Sequence, residues 1–276
     1  MLLRTIASLS ALLAAVLFTF GDLPLWILPV LFAGFYLLLL LVAFLVLWAF
    51  SAAVDMNKPQ EKDSKFYRQL VMLYIEALIS LVRLKIDAAG LEKMPEDKRI
   101  MLVCNHQNEG DPGILMHYFK RYELSFIAKK EVESMFIMKG LMHKLVCQPI
   151  NRENDREALK SILKCIQLLK TDEVSVGAFP EGGIFEKDKL HPFRSGVFKI
   201  AQKAGVPIVV CTLKGTSDLF HNMKRLKKTH VQLHLLDVIP AEEAKKVNTV
   251  ELSDRIYRMM LEDLGPEYAP ENTETT

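Results

Sequence analysis

Arg99-Ile100-Met101-Leu102-Val103-Cys104-Asn105-His106-Gln107-Asn108-Glu109-Gly110-Asp111 decides how this chain is read. An uninterrupted apolar run over 100–104, short and rich in branched residues, reads as a strand buried on both faces. It stops at once in a polar loop that delivers Asn105, His106 and Asp111. A histidine and a carboxylate at the end of a buried strand suit a general base and the group that orients it. The same spacing also arises in surface loops and helix caps, so the loop needs a partner site elsewhere in the chain.

Working outward, strand-like and helix-like stretches alternate. Strands are expected at 124–128, 146–150, 174–178, 206–213 and 231–239. Helices are expected from 114–118, up to about 144, and over 155–170, 197–204 and 249–264. The segment 155–170 has the clearest amphipathic period. This alternation predicts one α/β domain with a central mixed, largely parallel sheet flanked by helices, carrying its site on the loops at the carboxyl ends of strands.

The amino-terminal side is different. Residues 6–20 form an uncharged run of 15, Gly21-Asp22-Leu23-Pro24 interrupts it, and a second apolar run covers 25–54. About 20 helical residues cross a hydrocarbon core. The second run is long enough and the first is marginal. A cleaved signal peptide would explain the first run alone, but not a second directly after it. A hydrophobic helical hairpin is therefore expected as an anchor over 1–56. Arg4 on one flank and Lys58, Lys62, Lys65 and Arg68 on the other place both flanks, and the catalytic domain, on the cytoplasmic side of a cell membrane. A hairpin dipping into one leaflet satisfies the same charges. Trp26 and Trp48 suit the interface. Residues 57–98 are read as a polar linker followed by an amphipathic helix over 66–86 and a turn region.

Composition narrows the function classes. The net charge of +2 and the absence of long basic runs argue against nucleic acid as a partner. The densest cluster, Lys224-Arg225-Leu226-Lys227-Lys228, reads as a solvated helix end or loop, with contact to anionic lipid headgroups as the alternative. Cys104, Cys147, Cys165 and Cys211 lack metal or redox spacing and read as free apolar residues in a reducing compartment. A metal-dependent hydrolase using His106 and Asp111 lacks the further ligands such a site requires. No metal and no cofactor are expected.

Three more loops follow strands. Ile150-Asn151-Arg152 sets a guanidinium at a strand end, Phe179-Pro180-Glu181-Gly182-Gly183 sets two glycines at another, and Val206-Pro207-Ile208 opens a buried strand. In this order, with Asn105-His106-x4-Asp111 first, the four pieces resemble the sequence blocks of the glycerolipid acyltransferases, and most closely the bacterial 1-acyl-sn-glycerol-3-phosphate acyltransferases. Lys129-Lys130-Glu131 and Pro192-Phe193-Arg194-Ser195-Gly196 look like that family too. The resemblance covers about 99–238, within an acyltransferase domain taken as 99–265 and followed by a disordered tail, 266–276.

The resemblance implies acyl transfer from acyl-CoA or acyl-carrier protein to the free hydroxyl of a lysophospholipid. His106 would be the general base and Asp111 its orienter. The acceptor's alcohol is then the nucleophile, so no serine or cysteine is required. Arg152, Glu181, Gly182 and Gly183 would hold the acceptor's glycerol phosphate. Asn105 would position the loop or polarise the thioester carbonyl. The family usually follows Phe-Pro-Glu-Gly with Thr or Ser and then Arg, whereas this chain has Gly183-Ile184-Phe185. Lys187, Lys189 or Arg194 are the expected substitutes for that cation. Other acceptors, such as glycerol 3-phosphate, another lysophospholipid or a lyso-aminolipid, remain the alternative. A membrane-tethered scaffold is disfavoured, because His106, Asp111, Arg152 and Glu181 are all present.

Overall fold

A computed structural model describes residues 1–96, 99–151 and 154–270. Helices α1 (Leu2–Phe20) and α2 (Leu28–Ala52) pack on each other as the expected hairpin. Both are long and apolar enough to cross a membrane, and Ser51 is the one buried residue of α2. Helix α3 (Lys65–Leu81) then lies against the hairpin, with Tyr74 donating to the Ala43 carbonyl at 2.7 Å.

The helix expected over 66–86 ends early. Arg83 takes a left-handed backbone (φ +56°), and strand β1 (Leu84–Ala89) begins directly after it. Leu84 and Ile86 continue a helical apolar period by coincidence. Their alternation with Lys85 and Asp87 is the strand signal, and pairing with a distant strand decides between the two readings.

The remaining strands are β2 (Met101–Cys104), β3 (Leu124–Lys129), β4 (Gln148–Ile150), β5 (Ser175–Ala178), β6 (Ile208–Lys214) and β7 (Thr229–Ile239). They form one seven-stranded sheet in the order β1-β7-β6-β2-β5-β3-β4. Every pairing is parallel except β6 with β7. Strands β2 to β6 therefore run one way, and all their carboxyl ends open on the same edge.

Two apolar layers cover the sheet. Met101 and Val103 face α6 (Asp155–Lys170), α7 (Lys199–Ala204) and α10 (Thr249–Leu264), through Leu169, Ile200 and Ile256. Ile100, Leu102 and Cys104 face the opposite layer, where Ile114, Leu115 and Phe119 belong to α4 (Asp111–Tyr118) and its end. The alternation within β2 follows from its period of two, with both faces buried. Helix α4 starts at Asp111 rather than 114, because an acidic residue and Pro112 in the first turn are both favourable there. Helices α5 (Met138–Lys144), α8 (Leu219–Lys224) and the single turn α9 (Ala241–Ala244) complete the fold. Of α8 the sequence reading marked only the basic end at 224.

Two boundary readings change. The polar stretch 57–64 is strapped to the domain: Ser64 N–H donates to the Lys144 carbonyl, Lys144 reaches Gln60, and Asp63 is buried in a bidentate pair with Arg68 at 2.7 and 2.8 Å. The tail expected to be disordered starts with a 3-10 turn, Pro266–Tyr268. Tyr268 is buried there and its carbonyl accepts from Leu190 N–H, so core packing holds the segment. Residues 271–276 lie outside the described residues.

Candidate active site

The central strand β2 delivers the catalytic loop. Asp111 is fully buried at the first turn of α4, and its Oδ2 accepts from His106 Nδ1 (3.0 Å) and from the backbone N–H groups of Gln107 (2.7 Å) and Asn108 (2.8 Å). Helix α4's amino-terminal dipole favours a carboxylate at this position. With Nδ1–H donating to Asp111, the imidazole presents Nε2 as its proton-accepting nitrogen. His106 retains some exposure, so this nitrogen can be reached.

Asn105 is also fully buried. Its Oδ1 accepts from Leu213 N–H (2.7 Å) and its Nδ2 donates to the Leu213 carbonyl (2.8 Å). Both ends of the amide are used to fasten the loop to β6. This contact is of the kind that positions a loop.

Strand β5 supplies the second loop. Phe179 stacks on the His106 ring (centroids 4.0 Å apart, 15° between planes), and Phe126 of β3 stacks in turn on Phe179 at 5.6 Å. Gly177 makes room for this: a Cβ there would lie 2.4 Å from the Phe126 ring. Glu181 is buried, accepting from His106 N–H at 2.7 Å and His191 N–H at 2.9 Å. Burial, with a smaller contribution from the Asp111 charge, raises its carboxyl pKa to about 7. Glu181 thus ties the loop that carries His106 to the segment at His191. Gly182 has a left-handed backbone (φ +87°), and its N–H is committed to the Phe179 carbonyl. Gly183 is buried, and its N–H makes no bond within the described residues.

The cations divide. Lys187 is exposed and ion-paired with Asp218 at 2.6 Å, and that carboxylate raises its pKa. Lys189 donates to the Ala269 carbonyl at 3.1 Å. Arg194 is exposed, and its backbone N–H bonds to the Pro180 carbonyl at 2.9 Å, beside the loop. Arg152 lies outside the described residues. Among the described residues the cation nearest Gly183 is Lys129, at the end of β3. A Cβ on Gly183 would sit 3.0 Å from its Cε and 3.3 Å from its Nζ. Lys129 forms no ion pair with a described residue.

Sequence reasoning missed Lys129, Phe126, Gly177 and Gln107 as parts of the site. Gln107 ties the loop to the 187–191 segment, accepting from Asp188 N–H and donating to the Lys189 carbonyl. Only Lys129 carried a signal, as the polar residue ending a strand with the same polarity as β2. Among the described residues no group of three or more His, Cys, Asp or Glu is placed to hold a metal ion.

Residues 85–214 match the family model described as Acyltransferase. A probable 1-acyl-sn-glycerol-3-phosphate acyltransferase of Mycoplasma genitalium is 30% identical over 211 residues, covering 74% of this chain and 75% of the relative. The chain belongs to the acyltransferase family. A second relative of this family, the probable 1-acyl-sn-glycerol-3-phosphate acyltransferase of Mycoplasma pneumoniae, is 31% identical over 179 residues, 63% of this chain. The chain spans 64% of that relative's length. Among solved structures, the 1-acyl-sn-glycerophosphate acyltransferase PlsC of Thermotoga maritima shares the fold, with a TM-score of 0.54 over 93% of this chain and 96% of that one, at 19% identity. The family match runs from β1 to the end of β6, and so takes in every strand that carries the acyltransferase site.

Proposed function

We propose that this acyltransferase-family chain transfers a fatty acyl group from acyl-CoA or acyl-carrier protein to the sn-2 hydroxyl of 1-acyl-glycerol 3-phosphate, forming phosphatidate. The observation that carries the reading is the His106–Asp111 pair, whose Nε2 is left open at the mouth of a loop without a serine or cysteine nucleophile. His106 Nε2 takes the proton as the acceptor oxygen attacks the thioester carbon. Asp111 stabilises the imidazolium, and collapse of the tetrahedral intermediate breaks the C–S bond. His106 then returns the proton to the departing thiolate, so the ester and a free thiol are the products.

Lys129 fits the part left open by the arginine missing after Gly182. Together with Gly183 N–H it offers an anion a cation and a backbone donor side by side. Arg152 and Arg194 are the further candidates for phosphate. The apolar hairpin supports a position at the membrane that holds the lipid acceptor, and the basic flanks support the cytoplasmic side.

The test is an acceptor panel (lysophosphatidate, glycerol 3-phosphate, other lysophospholipids and lyso-aminolipids) offered with acyl-CoA and acyl-carrier protein in parallel, products read by mass spectrometry. The expected outcome is phosphatidate from lysophosphatidate, lowered about a hundred- to ten-thousand-fold in a folded His106→Ala variant. Undiminished transfer in that variant would remove His106 as the base, and acylation of a different acceptor alone would replace lysophosphatidate.

A further inference from the structure

Helix α8 and the five residues 224–228 play no part in the chemistry described above, yet their construction is unusual. Phe220, Met223 and Leu226 are 46%, 40% and 77% exposed. Lys224, Arg225, Lys227 and Lys228 are exposed beside them, and none forms an ion pair with a described residue. The helix ends in a paired cap, with Lys227 N–H bonded to the Asn222 carbonyl (2.9 Å) and Leu226 N–H to that of Met223 (3.1 Å). The left-handed position of such a cap is ordinarily glycine. Here it is Leu226, at φ +54°. A leucine that bears a left-handed backbone while remaining the most exposed apolar side chain of the segment has no folding reason to be there.

The place of the segment in the fold supplies a reason. Arg83, just past the end of α3, donates from Nη1 to the Leu226 carbonyl at 2.7 Å, and α3 lies on the apolar hairpin. At its other end α8 meets the catalytic loop: a Cβ on Gly110 would lie 3.2 Å from Leu219 Cδ2. The exposed apolar side chains and cations therefore lie between the end of α3, which packs on the hairpin, and the rim of the site.

We infer that α8 and residues 224–228 form a second membrane contact, a foot in which Phe220, Met223 and Leu226 enter the interface while the four cations bind anionic lipid headgroups. Apolar side chains interleaved with unpaired cations match an anionic bilayer surface, which offers both a hydrocarbon boundary and negative charge. The foot holds the rim of the site against the surface from which a lysolipid is taken. This inference rests on the membrane reading proposed above.

The test uses the full chain with a polarity-sensitive fluorophore on His221→Cys, the native cysteines being buried or half-buried. It is reconstituted in vesicles of phosphatidylcholine with or without phosphatidylglycerol, and a second labelled chain, Leu38→Cys, reports on α2. The expected result is a blue shift at position 221, quenched by a lipid-borne quencher, in anionic vesicles and weakly in neutral ones. Each basic residue near an anionic surface is worth about fivefold, so Lys224→Gln/Lys227→Gln should lower the docked-to-undocked ratio about 25-fold. Leu226→Gly should also loosen docking while raising thermal stability, because glycine relieves the left-handed backbone. An aqueous signal at 221 with a lipid signal at 38 overturns the foot and leaves the hairpin reading intact. Aqueous signals at both positions overturn the membrane reading itself. A shift at 221 that appears only on adding acyl-carrier protein, or only with rising protein concentration in detergent, assigns the surface to an acidic protein or a second copy and also overturns the lipid assignment.

Discussion

His106 is held from three directions, and each hold has a separate signature. Asp111 fixes the ring's nitrogen, Glu181 fixes the backbone, and Phe179 lies flat against the ring. An offset ring pair contributes about 0.5–1.5 kcal/mol. Replacing Phe179 with leucine keeps the apolar bulk and removes the stack, so kcat should fall about three- to tenfold with the acceptor KM unchanged. A matching rise in KM would instead place Phe179 in the acceptor's binding surface. Glu181 makes a pH prediction. Its folded pKa of about 7 lies above the ordinary 4.5, so the folded protein keeps it protonated where the unfolded chain ionises it. That contribution is fully present below about pH 4.5 and is lost as pH rises to 7. Denaturant unfolding of the wild type and Glu181→Gln across this window should show the difference between them shifting in favour of the variant as pH rises. A constant difference would mean that Glu181 is ionised throughout. Lys129→Ala should raise the KM for a phosphate-bearing acceptor more than it lowers kcat, read with acceptors with and without the phosphate.

At the scale of elements, the sheet explains why pieces far apart in sequence meet. Parallel β2, β3, β4 and β5 end on one edge, so the loops after Cys104, Lys129, Ile150 and Ala178 converge without further design. That much was legible: the two-sided apolar run of β2 and the helices at 155–170 and 249–264 stand in the sequence as they stand in the fold. Strand β1 was not, because Leu84 and Ile86 satisfy both periods and only pairing with β7, well over a hundred residues later, separates them. The partners of Asn105 and Glu181 were also hidden: nothing in the sequence shows that they are Leu213 and the His106 and His191 amides. The linker concealed a tertiary bond in the same way. Arg68 and Asp63 are a buried bidentate pair, and Arg68 also donates to the Leu124 carbonyl at the start of β3. Arg68→Leu strands a buried carboxylate, which costs about 3–5 kcal/mol. Thermal unfolding in detergent should show that loss, and the double variant Arg68→Leu/Asp63→Leu should recover a large part of it. Equal destabilisation in both variants would show that the arginine's packing, not its charge, holds the strap.

For the whole molecule the question is how the hairpin and the catalytic domain are joined, since the proposed action on a membrane lipid needs a defined height and tilt. The joint is made at the end of α2. Ser51 Oγ donates to the Ile137 carbonyl at 2.5 Å, Trp48 stacks on Phe136 at 5.6 Å, and Tyr67 donates to the Phe50 carbonyl at 3.0 Å. Helix α5 approaches so closely that a Cβ on Gly140 would lie 2.2 Å from the Ser51 carbonyl oxygen. That neighbour is backbone, so nothing can rotate away, and a side chain at 140 must separate α5 from α2. The site itself is assembled on strand ends that the separation leaves alone. Gly140→Leu should therefore split two activities: transfer to a short-chain acceptor dissolved in detergent stays within about twofold of the wild type, while transfer to a long-chain acceptor in vesicles falls at least about tenfold, a loss of roughly 1.4 kcal/mol. Parallel loss of both activities would mean that the α2–α5 contact supports the fold of the domain. Unchanged vesicle activity would mean that the hairpin tethers the enzyme without orienting it.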